Sequence, residues 1–68
     1  MSLNDIQKQI LACFGGKSAI IKNSEIRNYL NTDEYTANMN ISLLCHKGLL
    51  VKVRHGEHKL NLEKVNDL

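Results

Sequence analysis

The sequence has no apolar run approaching the ~18–20 residues that a membrane span requires. Its first 14 residues are amphipathic rather than continuously apolar, which is not the pattern of a secretory signal. Cysteine is scarce. Cys13 and Cys45 are the only two, and without a signal both are expected as reduced thiols in the cytoplasm. No proline interrupts the chain, and it has no internal repeat, linker or low-complexity stretch, so residues 1–68 read as one domain. A large excess of one charge is also absent. Nine Lys and Arg against seven Asp and Glu leave a net charge of +2, which permits a polyanionic partner without requiring one.

The motifs of catalysis are missing as well. A chain of 68 residues builds a thin core with little room for an enclosed pocket, so a stand-alone enzyme is not expected. Gly15-Gly16-Lys17-Ser18 has the tail of a phosphate-binding Walker loop but lacks the first glycine at the required spacing, and it suits a helix end better. Cys45 and His46 are adjacent on a predicted helix. Their side chains therefore diverge by ~100° and do not pair as nucleophile and base. Cys45, His46, His55 and His58 match no common zinc spacing, so neither a metal nor a cofactor is expected. A metal-responsive regulator built on the histidines near the end of the chain is the third-ranked reading.

What is present is a globular composition, 43% hydrophobic and 24% charged. Leu3, Ile6, Ile10, Leu11, Cys13 and Phe14 recur with a helical period and define one buried face, with Ser2 or Asn4 as the cap. Gly15-Gly16 ends this helix, because glycine takes left-handed backbone without steric cost. Ala19-Ile20-Ile21 is short, apolar and β-branched, and predicts a brief strand. Asn23 is the expected N-cap of the next helix, with Glu25 in its first turn where a carboxylate suits the helix dipole. This helix presents Ile26, Tyr29 and Leu30. Asn31, a residue that tolerates positive φ, marks the turn.

Asp33 caps a further helix that runs to about Lys47, with Ala37, Ile41 and Leu44 as its core face. Gly48 ends it. Leu49, Val51 and Val53 then alternate with polar residues, as do Leu60 and Leu62, around a His55-Gly56-Glu57 turn. This predicts a β-hairpin with Val51 and Val53 on the same face as Leu60 and Leu62. The tail from Glu63 to Leu68 is too short for a long dimerisation helix.

The order helix, strand, helix, helix, strand, strand, from about Asp5 to Leu62, resembles a winged helix-turn-helix domain. That is an α+β, mainly α fold with three helices, a short strand and a C-terminal hairpin, the wing. The local matches are Ile26 to Ala37 in the turn unit and Leu44-Cys45-His46-Lys47-Gly48-Leu49-Leu50, similar to the segment that closes recognition helices in this superfamily. Gly15-Gly16-Lys17-Ser18-Ala19 and Thr32-Asp33 with Tyr35 and Ala37 also resemble the small regulators of fimbrial operons. The resemblance implies sequence-specific duplex DNA binding by a small transcriptional regulator. The helix at 34–47 would enter the major groove, and the wing at 51–60 would lie on phosphates or in the minor groove.

A wheel of ~100° per residue places Tyr35, Asn38, Met39, Ser42, Leu43 and His46 opposite the core face of that helix. Residues 34–46 contain no Lys or Arg, so base reading falls to neutral groups. Asn38 can bond adenine bidentately, Ser42 can bond several base edges, Met39 can touch a thymine methyl, and Tyr35 can bond a phosphate or a base edge. Together they suit A·T-rich sequence. Phosphate contacts are expected from Lys47, Lys52, Arg54 and Lys59. Lys52 and Arg54 would point outward between core Val51 and Val53, Lys59 outward on the return strand, and His55 and His58 would flank the tip. Lys17, Lys22 and Arg27 add positive charge on the other flank, and Glu57 weakens the field at the tip. The second reading is a protein-interaction module or homodimer, with Met39 and Leu43, one turn apart, as an apolar contact stripe.

Overall fold

A computed structural model of the chain describes residues 3–67. The first helix, α1 (Asp5–Cys13), begins at Asn4. Asn4 Oδ1 accepts from the Gln7 N–H at 2.7 Å, and Gln7 Oε1 accepts from the Asn4 N–H at 3.2 Å. This reciprocal cap satisfies two donors that helix geometry leaves free. Ser2, the alternative cap, lies outside the described residues.

The strand expected at 19–21 is displaced. β1 covers Ile21–Lys22, and Ile20 is exposed, because the ladder reaches only from Ile21 to His58 and from Lys22 to Glu57. Then α2 (Asn23–Leu30) follows directly. Asn23 is its first helical residue and not its cap. The cap position is Lys22, whose N–H donates to the Glu25 carboxylate at 3.2 Å, which leaves the Asn23 side chain for another partner. Of the three residues expected to pack, Ile26 is fully buried and Leu30 half-buried, but Tyr29 is exposed. Asn31 ends α2 at φ 54°, as its tolerance for the left-handed region suggests.

Next comes α3 (Glu34–His46), capped by Asp33, whose carboxylate accepts from the Thr36 N–H at 3.3 Å. Gly48 stands at φ 79°, a conformation costly for any residue with a Cβ. It turns the chain so that the Leu49 N–H donates to the Leu44 carbonyl at 3.0 Å. β2 (Leu50–Arg54), β3 (Glu57–Leu60) and a short α4 (Leu62–Asn66) complete the chain. The described residues thus form a small, mainly helical α+β domain, with four helices and a three-stranded antiparallel sheet ordered β1-β3-β2. The sequence reading has three helices. It misses α4, which is little more than one turn and offers no repeating period. Asn61 caps α4 by accepting from the Lys64 N–H, and Leu62 and Val65 pack against the core.

That core joins Ile10 and Phe14 of the first helical segment to Ile26, Ile41 and Leu44, and closes on Leu49, Leu50 and Leu60. Each such side chain, fully buried, stabilises the fold by about 1.5–3 kcal/mol. An amide network lies beside it. Asn40 is 3% exposed, and its Oδ1 accepts from Asn4 Nδ2 at 3.2 Å and Gln7 Nε2 at 3.4 Å. Asn40 Nδ2 donates to the Thr36 carbonyl at 2.9 Å, so one buried amide ties α1 to α3 with its polar atoms satisfied.

The hairpin register overturns the expected alternation. Leu50 pairs with Leu60, Val51 with Lys59, and Lys52 with His58. Partners share a face, so Leu50, His58 and Leu60 point inward, with Lys52 on the same face but exposed at its edge, while Val51 and Lys59 point out. Val51 and Val53 are exposed. The physical reason is Gly48: its left-handed turn buries Leu49 ahead of the strand, and regular alternation starts one residue later, at Leu50. A bulge then inserts Val53, so that Arg54 pairs with Glu57 and returns to the outer face.

Candidate functional site

Burial of Ala37, Asn40, Ile41 and Leu44 leaves the other side of α3 free. Tyr35, Asn38, Met39, Ser42, Leu43 and His46 are all exposed, as the wheel predicts. The larger apolar ones stand well clear of the surface, with Tyr35 at 73%, Met39 at 43% and Leu43 at 41% exposure. Lys47 is half-buried at the end of the helix.

One flank of this face becomes the wall of a groove. Asn38, Ser42 and Cys45 from α3 meet Lys52, His55 and His58 from the hairpin across an open cleft of about 360 Å³, with Asn23 at its end. A neighbouring hollow of about 200 Å³ shares Asn38 and His55 and continues past Arg27 and Glu34. Those two form an exposed ion pair at 3.7 Å, worth at most about 1 kcal/mol. The structure therefore brings Asn38 and Ser42 together with Lys52. Tyr35 and Met39 lie on the crest of α3, outside the cleft lining.

The other basic residues do not join Lys52. Arg54 and Lys59 occupy the outer face of the hairpin, so the cluster expected on one face is divided between two. Arg54 Nε also lies 3.4 Å from Glu57 Oε1, which offsets part of its charge, as the position of Glu57 at the tip suggests.

His58 was expected only to flank the tip. It is instead 6% exposed, because the register turns it inward opposite Lys52. Its Nδ1 lies 2.8 Å from Asn23 Oδ1. An amide oxygen only accepts, so Nδ1 carries the proton and donates. The Asn23 N–H also donates to the Gly56 carbonyl at 2.9 Å, and the two bonds fasten the hairpin turn to the start of α2. Burial holds the His58 pKa below its ordinary value, and the nearby Lys52 ammonium acts in the same direction. Sequence reasoning missed both partners. The signal was present in the hairpin: the inward phase expected for Leu60 already places His58, two residues earlier, on the same face.

Burial raises the pKa of Cys13 and of Cys45, with Lys52 opposing the effect at Cys45, so the neutral thiol is favoured at both. Among the described residues, no three His, Cys, Asp or Glu side chains gather closely enough to hold a metal ion, and no helix is long and apolar enough to cross a membrane. No family model, curated protein or solved structure matches the chain, so its residues and their geometry alone bear on function.

Proposed function

We propose that this chain is a winged helix-turn-helix domain that binds duplex DNA sequence-specifically, as a small transcriptional regulator rather than an enzyme. α3 enters the major groove. Asn38, Ser42, Met39 and Tyr35 meet base edges, and Lys47 and Lys52 hold phosphates. Arg54 and Lys59 reach the backbone or minor groove from the outer side of the hairpin, which acts as the wing. The observation that carries this reading is the groove in which Asn38 and Ser42 of an exposed helix face lie beside the ammonium of Lys52. A base-reading edge and a phosphate-holding charge then sit side by side, as duplex recognition needs. Selection of bound sites from a random duplex pool tests it. The wild type is expected to enrich A·T-rich sites. Asn38→Ala is expected to lose about 1–3 kcal/mol on the preferred site and to relax one base pair. Identical selected sites from both proteins would remove Asn38 as a reader, and a wild type that enriches nothing would end the claim of sequence specificity.

A second reading is favoured by one observation. Tyr35, Met39 and Leu43 form an exposed apolar row along successive turns of α3. In a protein-binding module such a row supplies the anchors. Changing Met39 and Leu43 to Ser would then abolish partner binding, whereas a DNA binder with these changes keeps most of its duplex affinity.

A further inference from the structure

We propose that His58 and Lys52 form a proton-linked phosphate site on the floor of the groove between α3 and the hairpin, and that a phosphodiester of the bound duplex occupies it. The duplex as source of the phosphate rests on the DNA-binding reading; the site itself rests on geometry. His58 Nδ1 is committed to Asn23. Its Nε2 has no partner among the described residues, yet no buried side-chain nitrogen or oxygen there lacks one. Nε2 is therefore not sealed from solvent, and His58 lines the groove.

In the neutral ring Nε2 presents a lone pair, which repels a phosphate oxygen. A proton taken from solvent turns it into an N–H donor and adds a second positive charge beside Lys52, its cross-strand partner. The groups packed around His58 do not neutralise that charge. α3 contributes the neutral Asn38 and Ser42 and the Cys45 thiol, β1 contributes Ile21, α2 contributes the Asn23 amide, and the turn contributes His55. Among the described residues no carboxylate lines this cleft; Glu34 of the adjoining hollow and Glu57, next to His58 in β3, are each paired with an arginine. The missing negative charge has to come from outside, and a phosphate oxygen between Nε2 and the Lys52 ammonium supplies it. Proton uptake and phosphate binding are then coupled, and the coupling is reciprocal: lower pH tightens binding, and binding raises the His58 pKa. One proton taken up per complex gives up to roughly a tenfold gain in affinity per pH unit across the titration range.

The test is an NMR titration of the histidine rings of the full chain between pH 8 and 5. It is run alone, with a mixed-sequence duplex, and with inorganic phosphate against chloride at equal ionic strength. Exposed His46, which does not line the cleft, and the chloride series act as controls. His58 is expected to titrate below the ordinary histidine value when free, and to move up by more than the controls with both duplex and phosphate. A response to phosphate with no duplex binding at any pH would keep the site and reject DNA as its source. Duplex binding, seen by anisotropy, that leaves His58 unmoved would overturn the site and spare the DNA reading. His58→Gln, checked for folding by its melting curve, should flatten the pH dependence of duplex affinity. The wild-type titration stands whether or not that variant folds.

Discussion

Asn40 is the residue for which hydropathy is least informative. A polar amide on α3 reads as surface, yet it is buried and bonded to Asn4 and Gln7 of the first helix, 36 and 33 residues away. Asn40→Ala should leave two amides without their acceptor and cost about 1–3 kcal/mol. Urea unfolding checks this, and an unchanged midpoint would mean that the network does not hold α1 to α3. His58 makes a second prediction. Its folded pKa is depressed, so below about pH 6.5 an unfolded chain binds a proton that the folded one resists. The stability it contributes is present above that pH and is lost as pH falls toward the folded value. The melting temperature of the free protein should therefore drop between pH 7 and 5, and by less in His58→Gln. Equal slopes would contradict the account. Apolar and exposed positions were legible at this scale: Ala37, Ile41 and Leu44 lie inside, and the six outer residues of α3 lie outside. Gln7, Asn40 and His58 were not, because a buried polar group is recognisable only through partners distant in sequence.

At the scale of elements, the helices were more legible than the hairpin. A helical face is defined by several residues at once, and α1, α2 and α3 all fall where their periodicity puts them, although α2 starts one residue earlier than its expected cap at Asn23 implies. A strand pattern has only two phases. The left-handed turn at Gly48 moved β2 from one to the other, and with it Lys52 from the outer face to the groove, while Leu60 and Lys59 of β3 keep their expected sides. The phase is directly testable. Leu50→Ala should cost about 2–5 kcal/mol as a buried large-to-small change, whereas Val51→Thr should stay within about 0.5 kcal/mol as a surface change. The expected alternation demands the opposite order, so thermal melts of these two variants decide between the registers.

The whole molecule measures 29 × 24 × 20 Å, less than one ~34 Å turn of duplex along any axis. Its 13-residue α3 is about 20 Å long, and a helix of ~10–12 Å diameter fits a major groove about 12 Å wide. A single copy of this size reaches only a few phosphates. With a net charge of only +2, the proposed phosphate contacts would come from placed residues, Lys52 in the groove and Lys47, Arg54 and Lys59 around it, rather than from a general positive field. Affinity should then depend on salt in proportion to the phosphates neutralised. The most direct measurement is equilibrium binding of the purified protein to a duplex, by anisotropy, across a range of salt concentrations. The DNA-binding account predicts measurable binding at low salt and a log–log slope of roughly −3 to −5, from about three to five phosphate contacts. No detectable duplex binding at low salt would contradict it.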